Sequence, residues 1–151
     1  GKILQKNIKM LLEVNNEDLE VKKIIQKTCG KEYSLLKRIR YNNYGSNRYK
    51  LVSLSPTKFN IDVENYNDNI YLNFDLRDQG IVFYFRYKNT EFVNFCKYHI
   101  ITFQSNDYSF ILQTDSNIYK FNILNIKRHN AFIKKLYHFK NKSQSNETSL
   151  E

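Results

Sequence analysis

The stretch "DQGIVFYFRYKNTEFVNF", residues 78–95, is rich in aromatic side chains and decides the fold. Asp78-Gln79-Gly80 is a turn signal, and the residues after it alternate as a β-strand does. Side chains of a strand point to two faces in turn. One face would carry Ile81, Phe83, Phe85 and Tyr87, and the other Val82, Tyr84 and Arg86. Because the first set is apolar apart from one phenol, it is typical of a face that packs into a core.

An aromatic strand could instead be a platform on which nucleic-acid bases stack. RNA-recognition sheets place a basic residue and a glycine before alternating aromatics that face solvent. Gln79 occupies the basic position in this sequence, and no helical pattern separates the strands that follow. We therefore interpret the stretch as a core strand, with Tyr84 and Arg86 as candidate binding residues on its outer face.

Helical patterns flank the strands. "NNEDLEVKKIIQKTCGK" has Asn16 as a candidate N-cap and Gly30 as a candidate C′ residue. The preceding "KILQKNIKMLLEV" favours another helix, with an irregular lead-in as the alternative. "IKRHNAFIKKLYHFK" carries an apolar stripe at helical spacing, formed by Phe132, Ile133, Leu136, Tyr137 and Phe139.

This order of elements predicts an α+β fold: an antiparallel sheet or small barrel with N-terminal helices and a C-terminal amphipathic helix. The predicted organisation comprises a helical segment at residues 1–30, a β-rich domain at 31–140 with a closing helix at 125–140, and a disordered tail at 141–151. The last two residues, Leu150 and Glu151, resemble a remnant of cloning.

The chain has 151 residues and a net charge of +9 at pH 7. That balance permits attraction to nucleic acid or to an anionic membrane surface, although a solvated Lys-rich surface would give the same charge. Lys37, Arg38 and Arg40 form the densest basic cluster and are candidate binding residues. Lys127, Arg128, Lys134 and Lys135 decorate the last helix in the same way.

Catalytic motifs are not found in the sequence. The four glycines do not form a phosphate loop, and Gly-x-Ser-x-Gly does not occur. We expect structural roles, solvated or half-buried, for His99, His129 and His138, and two free buried thiols at Cys29 and Cys96. We therefore predict no catalytic residues, no cofactor and no metal, while carboxylates paired only in space stay open.

Three segments resemble bacterial pleckstrin-homology-like (PH-like) domains, over about residues 70–140. "LRDQGIVFYFRYKNTEFVNFCKYHIITF" and "YSFILQTDSNIYKFNIL" resemble two of their hairpins, and "NIKRHNAFIKKLYHFK" resembles their closing helix. The resemblance implies a non-catalytic module that mediates protein contacts, self-association or assembly near a membrane. It also implies a cytoplasmic location, with or without a membrane segment that precedes Gly1.

Three functional hypotheses follow from these observations. The first is a non-catalytic interaction module whose partner is a protein or a second copy, with an anionic membrane surface as a further partner. The second is a basic nucleic-acid-binding domain, whose affinity would fall steeply with salt. The third is a small enzyme whose site is assembled in space, which would need a concave pocket with convergent polar groups.

Overall fold

A computed structural model describes residues 11–14, 19–33, 47–56 and 59–149, with side chains up to residue 143. The elements in these ranges are β1 (Leu11–Val14), α1 (Leu19–Cys29), β2 (Tyr49–Ser55), β3 (Ile70–Leu72), β4 (Phe74–Leu76), β5 (Gly80–Tyr87), β6 (Thr90–Lys97), β7 (Thr102–Ser105), β8 (Ser109–Gln113), β9 (Ile118–Ile123) and α2 (Ile126–Ser149). Lys37, Arg38 and Arg40 lie outside the described residues, so the structure does not place this predicted cluster.

The strands form two antiparallel sheets. One has the order β1-β6-β5-β4, and the other β3-β2-β9-β8-β7. Asn73 alone separates β3 from β4, so the chain passes from one sheet to the other at this residue. The predicted α+β fold with antiparallel strands is confirmed. The described strands stay in two sheets and do not close into a barrel.

The opening stretch forms the hairpin at the centre of the four-stranded sheet. Strand β5 pairs with β6 from Gly80 opposite Lys97 to Tyr87 opposite Thr90. Ile81, Phe83, Phe85 and Tyr87 are all buried. The prediction of a core face is therefore confirmed, and these rings are not available to stack on bases.

Aromatic rings fill the core between the two sheets and α2. The ring of Phe74 lies 5.0 Å from those of Phe83 and Phe121, measured between centroids. It also stacks on Phe132 of α2 at 5.4 Å. Burial of each such side chain contributes about 1.5–3 kcal/mol. The predicted stripe of α2 is therefore largely inside, although Tyr137 is exposed on its edge.

Helix α1 covers part of the outer face of the four-stranded sheet. Val21, Ile24 and Ile25 pack with Val82, Val93 and Phe95 in a second apolar cluster. The helix ends as predicted, because Gly30 takes a φ of +96° and its N–H bonds to the carbonyl of Gln26. Asn16, the candidate N-cap, lies outside the described residues. Val82 is thus buried under α1, whereas Tyr84 lies beside the helix and Arg86 is exposed.

The predicted helix at the N-terminus is wrong for residues 11–14, which form strand β1 paired with β6. Leu11 packs into the core between the sheets, while Leu12 and Val14 pack against the cluster under α1. Apolar residues therefore pack on both faces of this strand, although Glu13 is exposed. A strand with apolar residues on both faces lacks the strict polar alternation that would distinguish it from a helix.

The tail predicted from residue 141 is also wrong, because α2 continues to Ser149. Residues 141–149 are polar and contain neither proline nor glycine. Once a helix is nucleated, each further residue gains one backbone hydrogen bond. A polar extension can therefore stay helical without an apolar face, which sequence periodicity does not reveal.

Candidate functional site

The two candidate residues on the outer face of β5 have different surroundings. Arg86 is exposed and pairs with Glu91 across the hairpin at 3.4 Å, and it also donates to the carbonyl of Asn89 at 3.2 Å. Tyr84 is 37% exposed and borders a cavity beside α1. The two predicted residues therefore differ. The Arg86 side chain bonds within the β5–β6 hairpin, whereas Tyr84 faces a concave surface.

This cavity, which we call the α1 cavity, has a volume of about 290 Å³. It is lined by Lys22, Ile25, Gln26, Lys31, Glu32, Arg77 and Tyr84. Residues 22, 25 and 26 share one face of α1 because their spacing corresponds to one helical turn. The segment after Gly30, the turn between β4 and β5, and Tyr84 of β5 supply the remaining walls.

Arg77 holds the walls of the α1 cavity together. Its guanidinium donates to the carboxylate of Asp75 at 3.0 Å and to the carbonyl of Gly30 at 3.0 Å. A longer pair joins it to Glu32 at 3.4 Å. The Arg77 side chain is buried, and buried charges need such partners. The C-terminal end of α1 is therefore tied to the turn before β5.

The two lysines of the α1 cavity differ from Arg77. Lys22 and Lys31 are exposed, and neither forms an ion pair within the described part of the chain. The pKa of Tyr84 is raised, chiefly by burial, while the positive charge of Arg77 partly opposes that rise. Tyr84 therefore keeps its proton at neutral pH and can donate a hydrogen bond. The cavity has the chemistry of an anion site.

A second arrangement joins Tyr49, His129 and Ser105, and sequence reasoning missed it. His129 is fully buried, not solvated or half-buried as predicted. The Tyr49 hydroxyl lies 2.5 Å from His129 Nδ1, and Ser105 Oγ lies 2.6 Å from Nε2. These residues are separated by 80 and 24 positions in the sequence, so no local spacing could have indicated the contact.

The direction of the hydrogen bonds in this network argues against Ser105 as a nucleophile. When Ser105 Oγ donates to the carbonyl of Asn106, 3.2 Å away, it accepts from His129 Nε2–H. Nδ1 then accepts from the Tyr49 hydroxyl, whose pKa is raised by burial. A general base must take a proton from the serine. In this arrangement His129 gives one instead, which favours a structural role.

The thiols are buried and free, which confirms their prediction. Burial raises the pKa of Cys29 to about 12 and that of Cys96 to about 12, so both remain protonated at neutral pH. Among the residues that the structure describes, no group of three or more histidine, cysteine or carboxylate side chains could hold a metal ion. No helix in the same part of the chain is long and apolar enough to cross a membrane.

Exposed apolar residues collect where β9 meets α2, next to the turn between β7 and β8. We call this surface the β9–α2 corner; it comprises Tyr108, Leu124 and Ile126, which are 82%, 51% and 41% exposed. The N–H of Ile123 bonds to the carbonyl of Tyr108, which holds the turn beside the end of β9. Lys127 and Arg128 follow in the first turn of α2 and are exposed. The corner is thus apolar with a basic border.

Comparison of the chain with protein-family models found no match, and comparisons with curated proteins and with solved structures found none either. The resemblance to PH-like domains is therefore neither supported nor contradicted by a relative.

Proposed function

We propose that the protein is a non-catalytic interaction module that binds a protein partner through the β9–α2 corner. The observation that supports this proposal is the exposure of Tyr108, Leu124 and Ile126 at one end of the five-stranded sheet. Large apolar side chains grouped on a surface are typical of protein–protein contacts, and tyrosine is enriched in them.

The chemistry of the border indicates what kind of partner fits. Lys127 and Arg128 stand beside the apolar corner, and the whole chain carries +9. A second copy would bring like charges together, which costs free energy at an interface. We therefore propose a partner with an apolar centre and an acidic rim, in preference to self-association.

We also propose that residues 31–140 are a PH-like domain. Two antiparallel sheets that enclose a core, with the C-terminal helix packed into that core, support this proposal. A module of this kind would work in the cytoplasm, as part of a larger assembly or beside a membrane.

The corner can be tested by comparing two isoleucines of similar exposure, one at the corner and one at the far end of β9. Ile126 is 41% exposed at the corner, and Ile118 is 43% exposed at the opposite end of the strand. We expect the Ile126→Ser variant, combined with Leu124→Ser, to lose a protein that the wild type and Ile118→Ser both retain. Quantitative affinity capture from the native cells, followed by binding measurements with the purified partner, would provide the comparison. Equal retention by all three would contradict the proposal.

A nucleic-acid-binding role is the second proposal, and the charge of +9 favours it. The burial of Phe83 and Phe85 weakens it, since these rings cannot form a stacking platform. Fluorescence anisotropy with a labelled single-stranded oligonucleotide would test it. Binding that is tight at 20–50 mM salt and falls by orders of magnitude toward about 200 mM would support this role over the first.

A further inference from the structure

We infer that the α1 cavity is a binding site for a small molecule that carries a phosphate group on a compact apolar or planar body. The inference is independent of the β9–α2 corner, because the cavity lies on the outer face of the other sheet. It rests on three features of the cavity: its size, its unengaged cations and its mixed wall.

The size of the cavity selects the class of ligand. Its volume of about 290 Å³ lies near the lower end of small-molecule sites, which start at about 300 Å³. A water molecule takes up about 30 Å³ in the liquid, so the space far exceeds that of a single bound water. A small organic ester fits, whereas a polypeptide or nucleic-acid strand could at most insert one group.

The charged side chains around the α1 cavity favour an anionic ligand. The carboxylates whose charges act on Tyr84 are each paired with an arginine: Glu32 and Asp75 with Arg77, and Glu91 with Arg86. Lys22 and Lys31 have no ion-pair partner in the described part of the chain, so their ammonium groups can meet a ligand. Two point charges with rotatable N–H donors suit the three oxygens of a phosphate better than the planar fork of a single carboxylate.

The remaining lining residues indicate which kind of organic group would carry the phosphate. The ring of Tyr84, which is partly exposed, offers apolar surface, while the Tyr84 hydroxyl and the Gln26 amide offer donors. Inorganic phosphate would meet these donors and the lysines but has no apolar body to place against the ring. A phosphate ester with a ring could also bury that ring against Tyr84, because aromatic pairs gain free energy beyond simple burial.

Isothermal titration calorimetry at low ionic strength would test the inference with phenyl phosphate and inorganic phosphate as probes. We expect phenyl phosphate to bind at least several-fold more tightly than inorganic phosphate. Lys22→Met and Lys31→Met should each weaken phenyl phosphate binding by about tenfold. Lys23→Met is the matched control, because Lys23 is exposed on the same helix but does not line the cavity.

Tyr84→Leu removes the ring, and we expect it to weaken phenyl phosphate binding more than inorganic phosphate binding, so that the preference for phenyl phosphate is lost. Phosphatidylcholine vesicles that contain phosphatidic acid distinguish the two sources of a phosphate ester, a lipid headgroup and a free small molecule. Binding to the vesicles that depends on Lys22 and Lys31 would assign the site to a lipid headgroup; binding to phenyl phosphate alone would assign it to a free ester.

Two results would overturn the inference. One is the lack of heat from phenyl phosphate at millimolar concentration with a folded protein, as judged by circular dichroism. The other is an equal loss of affinity in Lys22→Met and Lys23→Met, which would show that general surface charge attracts the probe. Either result leaves the proposal for the β9–α2 corner intact, since that surface shares no residue with the cavity.

Discussion

The hydroxyl of Tyr49 stabilises the fold through a single buried hydrogen bond, and its removal should have a measurable cost. Tyr49→Phe keeps the ring that packs against Phe74 and Phe132. It removes the group that lies 2.5 Å from His129 Nδ1, and His129 is fully buried. One nitrogen of the imidazole then has no partner, whichever tautomer forms. An unpaired buried polar group costs about 1–3 kcal/mol.

Ser105 provides the matched control, because it bonds to the other nitrogen of the same imidazole from an exposed position. In Ser105→Ala, water can take the place of the lost hydroxyl, so the cost should stay under about 1 kcal/mol. Urea unfolding at pH 8, followed by circular dichroism, would give both free energies. For a chain of this length each kcal/mol also lowers the melting temperature by about 2–4 °C.

The same imidazole gives the free energy of unfolding a dependence on pH. Burial lowers the pKa of His129 below its ordinary value of 6.5, so the folded state holds it neutral. Below about pH 6.5 the unfolded state takes up a proton that the folded state does not. Stability should therefore fall as the pH drops from 6.5 toward the folded pKa, by at most about 1.4 kcal/mol per pH unit, and should be level above 6.5.

Two variants separate His129 from the other titrating groups. His129→Gln should lose this slope between pH 6.5 and pH 5, whereas His138→Gln, at an exposed site on the same helix, should keep it. The reasoning about this network would be refuted by equal costs for Tyr49→Phe and Ser105→Ala. It would also be refuted by a slope that persists in His129→Gln.

Three further outcomes follow from close contacts elsewhere in the fold. A Cβ at Gly80 would lie 2.5 Å from both Cys29 Sγ and the carbonyl of Cys96, so Gly80→Ala should lose about 1–3 kcal/mol in urea unfolding; a loss under about 0.5 kcal/mol would contradict the packing. Both thiols should react with a disulfide reagent only as fast as the protein unfolds, since each is buried with a pKa of about 12; rapid labelling without denaturant would be the opposing result. Lys140 donates to two backbone carbonyls between β6 and β7, so Lys140→Met should lower the free energy of unfolding by about 1–2 kcal/mol. Lys142→Met removes only an exposed ion pair and should lower it by less than about 1 kcal/mol.

The local parts of the fold could be predicted from the sequence because their signals lie within a few residues. Alternation of side chains identified the core face of β5, and the turn before Gly80 followed from its composition. Gly30 ended α1 because an L-residue is strained at a φ of +96°. The buried stripe of α2 around Phe132 and Leu136 followed from helical spacing.

The candidate sites depend on contacts between distant segments, for which one sequence has no local signal. Tyr84 was identified as an outward residue, but its neighbours in the α1 cavity come from α1, from the segment that follows it and from the turn after β4. His129 became buried because β2 and β7 bring hydroxyls to both of its nitrogens. Leu11–Val14 became a strand because the edge of β6 was free to pair and α1 covered the outer face. Periodicity shows which face of an element is apolar, whereas the packing of one element on another determines what that face meets.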